Sequence, residues 1–493
     1  MPNAQSNLID NIIVLMLENR SFDNILGTLY PHSPQFESLL LDGSMFNTYQ
    51  NNPYPVTNKS SGDSTGETFI TPSTDPGELF QDMNLQIFGS TDGSGNATMG
   101  GFINDWMATA AENWGIPQGK ECFWAPEFAA LPRASTLSPG DIMFYYTSSG
   151  SSPQLPVTGF LAKSFAVSDA WFGSSPTQTF PNRLFVNCAT AGGYVQNVDY
   201  LCNLEVWPKL PSIFKLLDGA SGPNAANWKV YFHDYAIATM INYVMNAPDL
   251  VRNFDSSDFG SDTKTPTFFD DLNNKTLPKY SFIEPRYGGV NDLPPNSNHP
   301  PHNVIEGEIL LATVYNAIAQ SEYYWPRTLL IITYDEHGGC FDHVVPPTAI
   351  KPGGTLLPNP SPFTFDRYGP RVPAILVSPY IAAGTVLRPE GFAYNAVASG
   401  ITTTNGVTPF DHTSIIKTVI ECFNIQTNGN PENLTERDLN APSLLPALTL
   451  TSQNMNSPGQ VAVPAAPPAA GANTSTHLTE TFQAMRQRFE SSS

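Results

Sequence analysis

Two apolar runs of strand length are the clearest hydrophobic pattern in this chain. Residues 12–17 read Ile-Ile-Val-Leu-Met-Leu, and residues 328–334 read Thr-Leu-Leu-Ile-Ile-Thr-Tyr. Neither run alternates strictly with polar residues, which is typical of strands that are buried on both faces of a parallel sheet. Both runs therefore predict core strands.

Strand and helix patterns alternate along most of the chain. Further strands are predicted at residues 165–171, 228–235, 280–284 and 372–377, and helices at 155–164, 306–320 and 411–423. This alternation favours an α/β fold with a mainly parallel sheet and helices on both faces. Residues 40–100 lack periodicity, and we expect a long excursion that covers the strand ends.

The composition changes near residue 450. Residues 1–450 are predicted to form one domain, residues 451–475 a linker rich in Pro, Ala and Ser, and residues 476–493 a short amphipathic helix. One face of that helix would carry Leu478, Phe482, Met485 and Phe489. We expect the helix to pack back on its own protein rather than to bind a membrane.

Charge narrows the classes of partner. The net charge is −21, which argues against nucleic acid and provides no polybasic route to anionic membranes. A phosphate substrate remains allowed, because a metal ion and histidines can reverse the field locally. Only 14% of the residues are charged, while 45 Pro and 36 Gly indicate much ordered loop.

The amino terminus and the cysteines show no targeting or metal-binding signal. Residues 1–10 contain no basic region, so no signal peptide is expected. The chain is expected to be cytoplasmic or exported by a route that needs no signal peptide. The five cysteines are expected to be buried thiols, and a Cys188–Cys202 disulfide is left open.

Both predicted core strands end in polar residues. Glu18 and Asn19 follow the first strand, and Asp335 and Glu336 follow the second. Ligand groups of α/β folds collect at the carboxyl ends of strands, so these side chains can converge on one metal ion.

Five motifs in fixed order carry a family resemblance. They are Glu18-Asn19-Arg20-Ser21-Phe22-Asp23, Pro181-Asn182-Arg183, His299-Pro300-Pro301, Tyr334-Asp335-Glu336-His337-Gly338-Gly339 and Asp411-His412-Thr413-Ser414. Over roughly residues 8–450 the chain resembles the bacterial phosphoesterase family of non-specific phospholipases C and respiratory-burst-inhibiting acid phosphatases, within the alkaline phosphatase superfamily. The resemblance implies an alkaline-phosphatase-like α/β fold.

The resemblance also implies a metal site. Carried over from the acid phosphatase branch, its ligands are Glu18, Asn19, Thr179, Asp335 and Glu336. All five donate oxygen, which favours calcium, magnesium or manganese, although zinc stays open because superfamily relatives use it.

The family places a Thr or Ser nucleophile two residues before the Pro-Asn-Arg motif, which is Thr179 here. A hydroxyl is a weak nucleophile at its own pKa, so metal coordination would have to activate it. Thr177 and Ser175 are close enough to remain alternatives.

Three histidines and Asn19 complete the implied catalytic set. His299 is the predicted general acid, His233 is predicted to bind a phosphoryl oxygen, and His302 is the reserve for either role. Three further histidines lie beside acidic residues: His337, His343 and His412. They are predicted to orient the metal ligands by hydrogen bonds without binding the metal themselves.

The chain is predicted to be a metal-dependent phosphoric ester hydrolase. The preferred prediction is a phospholipase C that acts on phosphatidylcholine-like lipids, and the alternative is a phosphomonoesterase of acid-phosphatase type. A non-catalytic binding scaffold is a minor alternative. Glu78 stands where relatives commonly have a histidine, and a carboxylate there would suit a choline head. The expected partner is a phospholipid or small phosphate ester; transient contact with a membrane surface is allowed, and no oligomeric state is indicated.

Overall fold

The computed structural model of the protein describes residues 5–58, 67–108, 137–201, 210–220, 222–258, 265–289, 293–397, 400–403, 406–427, 430–454 and 459–466, with Thr476, Leu478, Thr479 and Phe482. An eight-stranded sheet forms its centre, in the order β10-β4-β9-β8-β1-β7-β5-β6. These strands are β1 (Asn11–Leu17), β4 (Ala166–Ser168), β5 (Trp228–Phe232), β6 (Val251–Asn253), β7 (Tyr280–Glu284), β8 (Thr328–Tyr334), β9 (Ala374–Val377) and β10 (Thr385–Val386).

Three two-stranded sheets lie outside the central sheet. They pair β2 (Phe46–Tyr49) with β3 (Asn52–Pro55), β11 (Tyr394–Val397) with β12 (Gly400–Thr403), and β13 (Gln426–Thr427) with β14 (Asn430–Pro431). The helices are α1 (Phe22–Leu26), α2 (Phe80–Phe88), α3 (Phe102–Ala108), α4 (Pro156–Ser164), α5 (Thr179–Cys188), α6 (Asn197–Leu201), α7 (Ile213–Asp218), α8 (Asn242–Met245), α9 (Phe268–Asn273), α10 (Val304–Gln320), α11 (Thr413–Cys422) and α12 (Glu436–Leu439).

The two apolar runs form adjacent parallel strands at the centre of the sheet. Every residue of β1 and β8 is buried, and the register pairs Leu17 with Tyr334. The two strands therefore end level with each other, which confirms the predicted core strands and brings the residues that follow them together.

Strand β9 is the exception to a parallel sheet, because it runs antiparallel to both β8 and β4. Two reversals leave β4 pointing in the same direction as β8. The chain after β4 therefore leaves the sheet at the edge where β1 and β8 end, and it leads there to the start of α5.

Strands β7, β5 and β6 extend the sheet in parallel on the other side of β1. Ile283 pairs with both Leu15 and Tyr231. His233 directly follows β5, and this register places it level with Leu17. Leu17 is the residue before Glu18.

Several groups of helices pack beside the sheet. Helix α10 packs on α4, whereas α11 packs on α5 and α12. The long excursion after α1 forms a second hydrophobic cluster around Phe102 and Trp106 that also contains Phe341, which follows β8. The α/β class is thus confirmed, and the excursion packs beside the strand ends.

Several local expectations are refined. The predicted strand at 165–171 is observed only as Ala166–Ser168. The helix predicted at 306–320 begins earlier, at Val304, because the Asn303 side chain accepts a hydrogen bond from the Ile305 amide at 3.0 Å. Leu478 and Phe482 are buried in the main core, whereas Met485 and Phe489 lie outside the described residues.

Cys188, Cys340 and Cys422 are buried thiols, and Cys122 and Cys202 lie outside the described residues, as therefore does the possible disulfide. Among the helices of the described chain, none combines the length and apolarity needed to cross a bilayer.

Candidate active site

The turn after β1 and the turn after β8 hold the four polar residues that were predicted to converge. The Asn19 backbone amide donates to Asp335 Oδ1 at 3.0 Å, and all four side chains are buried. Asn19 adopts a left-handed φ of 56°, and Gly338 one of 61°. A Cβ on Gly338 would lie 2.1 Å from the Asn19 carbonyl oxygen, so glycine is required where the two turns touch.

Thr179 lies at the start of α5 and joins this cluster. Pro181 is tolerated in the first turn of the helix because the amide it lacks would have no partner within the helix. Burial raises the pKa of Asp335, whereas Arg183 and the Thr179 hydroxyl act to lower it. The hydroxyl therefore lies beside the carboxylate.

The alternative nucleophiles are engaged elsewhere. Ser175 Oγ and Thr177 Oγ1 are 2.5 Å apart and hydrogen-bond to each other. The Asn182 side-chain amide donates to the Thr177 carbonyl oxygen at 2.7 Å and holds the turn together. This arrangement favours Thr179 over its neighbours.

Each of the five predicted metal ligands carries a buried oxygen atom that, among the described residues, has no hydrogen bond of ordinary geometry. These atoms are Glu18 Oε2, Asn19 Oδ1, Thr179 Oγ1, Asp335 Oδ2 and Glu336 Oε1. Unsatisfied buried oxygens are costly, and a hard divalent cation would satisfy them. The residues present thus fit a divalent metal ion.

Arg183 is the guanidinium that contacts this cluster. Its Nη2 lies 3.3 Å from Glu18 Oε1, and its Nε lies 3.5 Å from Asp335 Oδ2. The Tyr287 ring packs 5.2 Å from the guanidinium carbon. Arg183 was part of a motif but was given no role from the sequence.

The carboxyl groups outnumber the positive charge. Burial raises the pKa values of Glu18, Glu78 and Glu336 well above the usual value, and the neighbouring carboxylates raise them further. With Asp335 the cluster contains four carboxyl groups, and Arg183 pairs with two of them, Glu18 and Asp335. Additional positive charge would stabilise their ionised forms, which again fits a cation.

Glu78 lies inside the cluster rather than at a head-group surface. It is 1% exposed, and its Oε2 accepts a hydrogen bond from the Asn19 side-chain amide. The same amide nitrogen lies 3.0 Å from His299 Nε2. Glu78 and His299 therefore orient the Asn19 amide so that its Oδ1 is free for a metal ion, and the expected contact of Glu78 with choline is not favoured.

His299 is held in one tautomer. Its Nδ1 lies 2.7 Å from the Pro300 carbonyl oxygen and must carry the proton, which leaves Nε2 as an acceptor towards Asn19. Burial lowers the pKa of His299 to about 3, with a smaller contribution from His302. In this state His299 has no Nε2 proton to donate. His302 is buried beside it, with the ring centroids 6.0 Å apart.

His233 follows β5 at the same sheet edge and is hydrogen-bonded to Asp258, a residue that was not predicted from the sequence. Its Nδ1 lies 2.7 Å from Asp258 Oδ1, and both side chains are buried. Asp258 lies in a polar segment without periodicity, so no sequence pattern singled it out.

Two of the remaining histidines lie beside the cluster. His412 Nε2 donates to the Asp335 carbonyl oxygen at 2.6 Å, and His337 Nδ1 lies 3.3 Å from Glu336 Oε2. His343 instead binds Asp23, at 2.6 Å, and so acts on α1 rather than on a predicted ligand.

Several known proteins are similar to this chain. "Non-specific phospholipase C1" of Arabidopsis thaliana is 33% identical over 447 residues, which cover 89% of this chain and 70% of that protein. "Phospholipase C B" of Mycobacterium tuberculosis is 27% identical over 477 residues, covering 89% and 82%. The lipoteichoic acid synthase LtaP of Listeria monocytogenes, a solved structure, is 13% identical with a TM-score of 0.33, covering 58% of this chain and 69% of that one.

A second solved structure, a protein of the alkaline phosphatase superfamily from Vibrio parahaemolyticus, is 12% identical with a TM-score of 0.32 and covers 58% and 64%. The chain is an α/β enzyme of the phosphoric ester hydrolase class. The model of the Phosphoesterase family matches residues 9–426, and the chain belongs to this family.

Proposed function

We propose that this enzyme is a metal-dependent phospholipase C that cleaves phosphatidylcholine-like lipids with Thr179 as nucleophile. The observation that carries the proposal is the set of five unsatisfied buried oxygens, one of which belongs to Thr179. The names of the relatives, which are phospholipases C, support a lipid diester as substrate.

The reaction would proceed in two displacements at phosphorus. Thr179 Oγ1 forms a bond to phosphorus while the bond to the diacylglycerol oxygen breaks, which leaves a phosphothreonine. Water then forms the second new bond, and the bond to Thr179 breaks to release phosphorylcholine. Thr179 is the nucleophile of the first step and the leaving group of the second, so the two steps need opposite proton transfers.

The other residues position these groups. Glu18, Asn19, Thr179, Asp335 and Glu336 would hold one divalent ion, which when bound supplies positive charge to the reacting phosphoryl group. Arg183 anchors two of the carboxylates in the orientation that the cluster requires. The burial of these groups keeps water from screening their charges.

The substrate class is tested with purified protein that has been stripped by a chelator and reloaded separately with calcium, magnesium, manganese or zinc. Phosphatidylcholine vesicles and p-nitrophenyl phosphorylcholine are compared with p-nitrophenyl phosphate. We expect turnover of both diesters to require metal and to exceed that of the monoester. Preference for the monoester would replace the proposal with a phosphomonoesterase, and full activity without metal would refute the metal site.

A further inference from the structure

His233 and His299 differ in what accepts their Nδ1 proton. In His299 the acceptor at hydrogen-bond distance is a backbone carbonyl oxygen of the same loop, and Asp75 Oδ1 is farther away at 3.9 Å, whereas in His233 the acceptor is the Asp258 carboxylate at 2.7 Å. A carboxylate stabilises the imidazolium that forms when Nε2 takes up a second proton, and a neutral carbonyl does so far less. Of these two histidines, His233 is therefore the better suited to gain and lose a proton.

The pair is rigidly held. Asp258 is 2% exposed, its Oδ2 accepts a hydrogen bond from the Asp255 amide at 2.5 Å, and Arg286 Nη2 lies 3.9 Å from its Oδ1. The Phe254 ring packs on the His233 ring with centroids 4.6 Å apart. These contacts leave the imidazole one orientation.

The other nitrogen of His233 is available. Nε2 is buried and, within the described part of the chain, has no hydrogen-bond partner, and the residue as a whole is only 3% exposed. A buried ring nitrogen without a partner is costly unless a substrate or water supplies one. The ring thus has one nitrogen held by the protein and one reserved for another molecule.

The position of His233 fits the reaction. It follows β5 at the level of Leu17. Because β5 lies two strands from β1, the two strand backbones are about 10 Å apart at the usual strand spacing. The next residue, Asp234, accepts hydrogen bonds from the backbone amides of Tyr287 and Gly288. Because the Tyr287 ring packs on Arg183, which pairs with Glu18 and Asp335, this segment is connected to the proposed metal ligands.

We propose that His233 is the acid–base residue of the reaction and that Asp258 is its positioning residue; the inference rests on the proposed two-step hydrolysis. Protonated His233 gives its Nε2 proton to the diacylglycerol oxygen as that bond to phosphorus breaks. The Thr179 hydroxyl proton leaves to solvent in this step. In the second step, the attacking water gives a proton to Nε2, and Thr179 regains one from solvent as its bond to phosphorus breaks.

The pH dependence follows from the surroundings of the ring. Burial lowers the pKa of His233, whereas Asp258 and Asp255 raise it and Arg286 lowers it further. The acid form exists only below this pKa. Removing the Asp258 charge should lower the pKa of His233 and move the basic limb of the kcat profile to lower pH.

The test compares His233→Gln, Asp258→Asn and the matched control His299→Gln on two phosphorylcholine diesters. Phosphatidylcholine has a basic leaving oxygen that needs a proton, and the p-nitrophenyl ester has one that does not. We expect the first two variants to lose about 100-fold or more on the lipid but less than about tenfold on the aryl ester. His299→Gln should lose equally on both.

Three results would overturn the assignment: equal losses on both esters for His233→Gln, an unshifted basic limb for Asp258→Asn, or a selective loss on the lipid for His299→Gln. Thermal unfolding checks that each variant folds, and Asp258→Asn keeps the side-chain shape. If the unmodified enzyme cleaves only monoesters, the proposed function fails, and aryl and alkyl phosphates then test the same assignment.

Discussion

Replacing His343 by Gln should destabilise the metal-free protein strongly at pH 6 and much less at pH 10. His343 Nδ1 lies 2.6 Å from Asp23 Oδ2, and its Nε2 lies 3.0 Å from Glu37 Oε1. Arg371 pairs with the other oxygen of Asp23 at 2.8 Å and with Asp342 at 3.0 Å. Because both ring nitrogens face carboxylates, the folded protein holds His343 as the imidazolium.

The magnitude follows from the proton affinity. Burial by itself would lower the pKa of His343, but Asp23 and Glu37 outweigh burial and raise it to about 9. An unfolded histidine has a pKa of about 6.5, so the difference corresponds to about 3 kcal/mol of folding free energy. Since the folded pKa is the higher one, this stabilisation is fully present below about pH 6.5 and is lost as the pH rises through about 9.

Urea unfolding at pH 6, 8 and 10 in the presence of a chelator measures the effect. His343→Gln should be less stable than the unmodified protein by about 3 kcal/mol at pH 6, and the deficit should shrink towards pH 10. His32→Gln is the control: His32 also contacts Glu37, at 3.2 Å, but its side chain is 37% exposed, so its loss should cost less than about 1 kcal/mol.

A deficit of the same size at pH 6 and pH 10 would refute the electrostatic reasoning. It would show that His343 contributes by packing and neutral hydrogen bonds alone. Such an outcome would also mean that Asp23 and Glu37 reach the same protonation state with and without the histidine.

Three further predictions concern the active site. Thr179→Ala should lower kcat by about 10³-fold or more with little change in unfolding temperature, whereas the kcat of Thr177→Ala should stay within about tenfold of that of the unmodified enzyme. The reverse order would identify Thr177 as the nucleophile. Glu18→Gln should weaken metal binding by about 100-fold or more, measured by titration calorimetry, and unchanged affinity would remove Glu18 from the ligand set. Gly338→Ala should destabilise the protein by about 1–3 kcal/mol more than Gly353→Ala and should also reduce its metal content. Both glycines have a positive φ, but a Cβ at Gly353 would meet open space. Equal effects would show that only the backbone angle matters.

The central strands and the residues at their ends could be predicted from sequence because the signal is local. The runs that form β1 and β8 are apolar throughout, as burial on both faces requires. Parallel strands that are neighbours end at one edge, so Glu18 and Asp335 had to approach each other once both strands were in one sheet. The family motif added Thr179.

The order of the strands was not available from the sequence. Thr179 reaches the cluster because β4 lies beyond an antiparallel β9, and strand periodicity carries no information about direction. The C-terminal segment illustrates the same limit. Its helical spacing predicted an apolar face, but only the fold shows that Phe482 stacks on Tyr235 with the ring centroids 4.2 Å apart.

The sequence by itself thus determined the α/β class and the family and singled out the oxygen-bearing residues that we propose as metal ligands, since these follow from local periodicity and from motifs in fixed order. Tertiary structure alone decided that Glu78 orients Asn19, that His299 is an acceptor and that Asp258 supports His233. Each of these roles depends on a hydrogen bond between residues distant in the chain or on which ring nitrogen a neighbour occupies. The path of the loops between strands sets those contacts, and no local pattern encodes that path.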